Sequence, residues 1–145
     1  MAVDLPAAQP WMAIADADMQ IVDMTLALES PTAALLGLGC FHAHQVAEKA
    51  VKALLAVHHL PIPYIHALNV LCKQVSAVAQ IDEAVQAALD DLSDYGVAPR
   101  YPFSGREATA AMLSRARADA QTVRSWAVAE LARLGAEVAV GGGGR

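Results

Sequence analysis

Leu60-Pro61-Ile62-Pro63 limits the fold of this chain more than any other stretch. Each proline lacks an amide donor and restrains the residue before it, so a helix that reaches this segment must stop there. Glu29-Ser30-Pro31-Thr32 and the loop from Gly96 to Gly105 break the chain again. Between these breaks the apolar residues recur at helical spacing. The pattern predicts five helical segments and no strand.

The first helix is expected from about Pro10 to Leu28, with Trp11, Ile14, Ala15, Val22 and Leu26 roughly at helical spacing. Ser30 is placed to cap the second, with Pro31 at its first position, and this helix should reach about His59. A short third helix follows from about Tyr64 to Ser76. Asp82 should cap the fourth, which ends near Tyr95-Gly96. Ser104 and Glu107 form the S-x-x-E pattern of a capping box and should open the last helix, which runs to about Leu134. Residues 1–9 read as a flexible N-terminus, 10–134 as one domain, and 135–145, Gly-Ala-Glu-Val-Ala-Val-Gly-Gly-Gly-Gly-Arg, as a disordered tail. Helices joined by short turns give an all-α, up-and-down four-helix bundle with an additional short helix.

Composition agrees with thin, close-packed helices. Over half of the 145 residues are apolar, many of them alanine, while aromatics make up only 5%. No uninterrupted apolar run is long enough to span a membrane. The first residues lack the basic-then-apolar pattern of a secretory signal, and Cys40 and Cys72 are too few for a disulfide framework. A reduced cytoplasm is the expected location. The net charge of −5 conceals a gradient, with no Lys or Arg before Lys49 and seven Arg from position 100 onward. Such asymmetry suits self-association or pairing of the end helices, and carries no strong nucleic-acid signal.

The second helix holds Gln45, Glu48, Lys49 and Lys52 within an arc of about 100°. Phe41 falls in the same arc and His42 beside it, opposite a core face of Val46, Ala47, Ala50, Val51, Leu54 and Val57. Periodicity leaves two readings open: a solvated face with a Glu48–Lys52 pair, or a ligand site.

The stretch Phe41-His42-Ala43-His44-Gln45-Val46-Ala47-Glu48-Lys49-Ala50-Val51-Lys52-Ala53-Leu54-Leu55 resembles the signature helix of the HEPN domain family. Pro63-Tyr64-Ile65-His66-Ala67-Leu68 is similar to the family's P-x-x-H-x-L. Arg100-Tyr101-Pro102 resembles the R-Y-P loop before its last helix. The resemblance implies a helical bundle of the prokaryotic stand-alone type, commonly a homodimer. It also implies nucleotide binding, RNA cleavage in some branches, and pairing with a small nucleotidyltransferase in two-gene modules, often toxin–antitoxin pairs. By it the residues of interest are His42, Gln45, Glu48, Lys49, Lys52, His66, Arg100 and Tyr101. Lys49, Lys52 and Arg100 would donate to phosphates, and Tyr101 would offer a ring for stacking. Arg100 could equally pair with Glu48, leaving a structural network with Tyr101 plugging the loop.

Two departures bear on activity. The family's ribonucleases carry an Arg followed four to six residues later by His, an order excluded here because His66 is the last histidine and Arg100 the first arginine. His44 and Ala67 stand where the family often has Gln and an Asp or Ser. The expectation is a non-catalytic binding protein, with a ribonuclease built on His66 and Arg100 as the alternative. No cofactor or metal is expected. His42 and His44 diverge on one helix, His44 with Glu48 has the i,i+4 spacing of a ligand pair but would need further ligands, and no phosphate-loop or dinucleotide motif occurs. His58 and His59 should sit at a helix end and complement its dipole when protonated.

Overall fold

The computed structural model describes residues 2–96 and 107–143, with side chains to Val140. Its α-helices are α1, Gln9–Leu26, α2, Ala33–Val57, α3, Leu68–Val75, α4, Glu83–Ser93, and α5, Ala110–Gly143. Short 3-10 turns at Leu5–Ala8 and Asp94–Gly96 precede α1 and follow α4. Side-chain pairs give the directions. Asp16 and Asp23 of α1 meet Arg124 and Arg117 of α5, so these two helices run antiparallel. Asp18 and Trp11 meet His42 and Lys52, which makes α1 and α2 antiparallel as well. The all-α, up-and-down bundle with a short extra helix is the architecture expected, and the end helices pair within the chain.

Helix α2 is the spine of the bundle. Ala50 to Leu55 are buried without interruption, and six residues at 100° each go all the way round a helix. The polar stripe is therefore largely enclosed, with Trp11 of α1 and His66 from between α2 and α3 reaching it, while Gln45 and Lys49 stay only partly buried. Alanine makes this enclosure feasible: Ala43, Ala47 and Ala50 of α2 are fully buried in one core with Ala116, Ala120 and Ala127 of α5. Gly39 marks the tightest approach, since a β-carbon there would lie 2.8 Å from Leu113 Cδ1, and Leu113 is itself buried.

Helix boundaries depart from the sequence expectation in four places. Thr32, not Ser30, caps α2, its hydroxyl accepting from the Leu35 amide at 3.1 Å. Helix α3 begins only at Leu68, which leaves His66 on a non-helical segment. Helix α5 begins at Ala110, where the Thr109 hydroxyl accepts from the Met112 amide at 3.1 Å. Glu107 thus precedes the helix, and Ser104 lies outside the described residues. Finally, α5 continues to Gly143, past the Leu134 boundary: Arg133 bridges to Glu130 and Glu137 across Gly135, and one glycine costs a helix only about 1 kcal/mol. The start of the chain is likewise tied down, by Asp4 N–H donating to Val57 O at 2.8 Å and by Ala8 packing against Ala53, Val57 and Leu134. Asp82 caps α4 as expected, accepting from the Val85 amide at 2.9 Å.

Candidate functional site

Glu48 is the centre of the polar stripe and has no solvent exposure. Its Oε1 accepts from Lys52 Nζ and from His66 Nδ1, each at 2.8 Å, while Lys49 Nζ lies 3.4 Å from Oε2. Lys49 and Lys52 come from the same helix one residue and one turn onward. His66 arrives from the segment beyond the Pro61–Pro63 break, 18 residues away. Because α3 starts after His66, the ring is free to turn back onto α2.

Burial pushes the Glu48 carboxyl upward, but the Lys52 hydrogen bond, the Lys49 charge and the His66 hydrogen bond outweigh it and hold the group below its ordinary 4.5. The group is therefore ionised at neutral pH. An ionised carboxylate only accepts, so the proton of neutral His66 sits on Nδ1 and Nε2 carries a lone pair. Two ammoniums share this one carboxylate, leaving the cluster one positive charge in excess even with His66 neutral.

The members of the cluster differ in reach. Lys52 is 6% exposed by side chain and also lies 5.8 Å from the centre of the Trp11 ring. Its ammonium is held between a carboxylate and an aromatic face. Lys49 is 14% and His66 58% exposed, so these two present the cluster to solvent.

Gln45 and His44 sit on the same side of α2, one turn before Glu48. Gln45 Oε1 and His44 Nδ1 are buried without a hydrogen bond among the described residues. Burial lowers the His44 pKa from its ordinary 6.5, against the opposing pulls of the Glu48 charge and the Gln45 side chain. His44 packs so closely on the turn after α4 that a β-carbon at Gly96 would lie 2.9 Å from its Nε2. His42 belongs elsewhere: its Nδ1 bonds Asp18 Oδ1 of α1 at 2.8 Å.

The structure thus brings Glu48, Lys49, Lys52 and His66 together, with Gln45 adjacent, and directs His42 to α1. Arg100 and Tyr101 lie outside the described residues. Trp11 and His44 join the cluster unannounced. His44 had a signal in its i,i+4 spacing to Glu48, whereas Trp11 reads in sequence as an ordinary core position. His58 sits at the C-terminal end of α2 as expected, and burial and the nearby Arg133 lower its pKa from the ordinary 6.5. Among the described residues no three His, Cys, Asp or Glu side chains are grouped to hold a metal ion, and no helix is long and apolar enough to cross a membrane.

The HEPN domain model matches residues 8–131. Among solved structures, the crystal structure of TT1696 from Thermus thermophilus aligns with a TM-score of 0.72. The alignment covers 83% of this chain and 94% of that one at 23% identity, a likeness of fold. No curated protein matches the sequence.

Proposed function

The chain belongs to the HEPN domain family, and from that premise we propose that it is a binding module that recognises the phosphates of a nucleotide without transforming them. The observation that carries this reading is the sharing of one buried carboxylate by two ammoniums. It leaves an uncompensated positive charge at a point where Lys49 and His66 reach solvent. Charge-assisted bonds from an ammonium to phosphate are the strong kind, and a cation already desolvated forms them at lower cost. Arg100 and Tyr101 enter the reading through the family resemblance. The missing Arg-to-His spacing supports binding over catalysis.

Partners follow from the same premise. Ile14, Ile21 and Met24 recur on one face of α1 and are exposed, as are Leu28 just past its end and Leu35 and Leu38 on α2. Exposed apolar groups repeated along one face favour an interaction surface, in this reading for a second copy of the chain or for a small nucleotidyltransferase in a toxin–antitoxin-type module. A reduced cytoplasm, where the buried Cys40 and Cys72 stay as thiols, suits such a module.

Titration calorimetry with ATP at low salt tests the reading. It expects saturable binding that is lost in the Lys49→Ala/Arg100→Ala double variant. No heat with any nucleoside triphosphate would remove it. The carboxylate-held ring of His66 favours one second reading, RNA cleavage with His66 as general base. Cleavage of total RNA by the wild type but not by His66→Ala would put that reading first.

A further inference from the structure

We propose that His66 Nε2 is a phosphoryl-accepting nitrogen. Three observations converge on this atom. Glu48 Oε1, buried and ionised, accepts the hydrogen bond of the Nδ1–H at 2.8 Å, so the neutral ring keeps its lone pair on Nε2. The side chain is 58% exposed, on a non-helical segment that leaves the outer edge of the ring open. Lys49, 3.4 Å from the other oxygen of the same carboxylate, gives the cluster the excess positive charge that attracts an anionic phosphoryl donor.

The other four histidines lack this combination. His44 is buried, and His58 Nε2 is a buried atom. His59 Nε2 is engaged by the Ala2 carbonyl at 2.9 Å. His42 is also held at Nδ1 by a carboxylate, Asp18, but is only 26% exposed, which makes it the internal comparator.

The donor is a small phosphoramidate or acyl phosphate. The Nε2 lone pair attacks phosphorus and a P–N bond forms. The bond from phosphorus to the leaving group breaks, and its electron pair leaves with that group. With zwitterionic phosphoramidate the leaving group is ammonia, which departs with the hydrogens already on it. The ring then carries a positive charge with its proton still on Nδ1, where Glu48 offsets it. No oxidant or metal is required. The modification would add a dianion to the cluster that contains Lys49 and occupy the phosphate site of the binding reading, on whose residues this inference rests.

The test is treatment of the intact chain with potassium phosphoramidate, with the label on each histidine followed by mass spectrometry over time. His66 should label clearly faster than His42, and faster than His66 in the urea-unfolded chain. Glu48→Gln should remove most of that advantage, provided circular dichroism shows the variant folded. If the variant does not fold, the comparison of His66 with His42 within the wild type still decides. Equal rates at the two histidines, or equal rates for His66 folded and unfolded, would overturn the proposal. ATP calorimetry and this labelling fail independently: loss of the first leaves a reactive histidine, and loss of the second leaves a binding site.

Discussion

Lys52 Nζ lies 2.8 Å from Glu48 Oε1, one helical turn away, and the carboxylate it meets is sealed from water. On a solvated helix face this pair would contribute a few tenths of a kcal/mol. Inside the bundle the balance differs, because removing one partner strands a desolvated charge. Glu48→Ala should therefore cost about 3–5 kcal/mol in urea unfolding. Lys52→Met should cost less, about 1–3 kcal/mol, since Lys49 and His66 still compensate Glu48. A Glu48→Ala variant within about 1 kcal/mol of wild type would mean that water reaches the carboxylate.

Stability should fall on acidification in two windows. His44 is harder to protonate in the folded chain, because burial lowers its pKa from 6.5. Below pH 6.5 the unfolded chain binds this proton first, and stability drops by up to about 1.4 kcal/mol per pH unit until the folded pKa is passed. Glu48 acts further down: its folded pKa lies below 4.5, so its contribution is complete above that pH and is lost as pH falls through the folded value. His44→Gln should make the upper window of a stability–pH profile shallower, leaving the part contributed by His58, whose pKa is also lowered, and the lower window unchanged. An unaltered upper window would assign it to another group.

The prolines and periodic apolar residues made the five helices legible, but not the depth of the stripe. Gln45, Glu48, Lys49 and Lys52 have the same spacing whether water or protein covers them. What covers them comes from far along the chain: Trp11 from the first turn of α1, His66 from beyond Pro63. Likewise Ser30 and Thr32 both carry capping hydroxyls, and only the backbone path decides between them. Residues 135–145 read as a disordered tail from their glycine-rich composition, yet the salt bridges of Arg133 span Gly135.

His59 terminates α2 in the left-handed region, at φ 57°, with the Leu60 amide donating to Leu55 O at 3.0 Å. That position favours glycine, since a β-carbon there costs about 1 kcal/mol or more. The opposing loss is one exposed hydrogen bond from the His59 ring to Ala2 O. His59→Gly should therefore stabilise the chain by about 0.5–1 kcal/mol in thermal or urea unfolding. A net loss would show that the link to the N-terminal residues matters more than the backbone strain.

The acidic first helix and basic last helix meet through Arg124–Asp16 at 2.6 Å and Arg117–Asp23 at 2.8 Å. Both pairs are substantially exposed, with Asp16 and Asp23 near half-exposed, so screening limits each to about 1 kcal/mol or less. Their role is better sought in registering α1 against α5 than in stability. Arg117→Ala and Arg124→Ala should each lower stability by no more than that amount. Their effects should add, because the pairs sit two helical turns apart. Near 1 M salt, where the screening length is about 3 Å, variants and wild type should unfold together. A double variant that stays less stable in high salt would show that the arginine stems, packed along α1, contribute more than their charges.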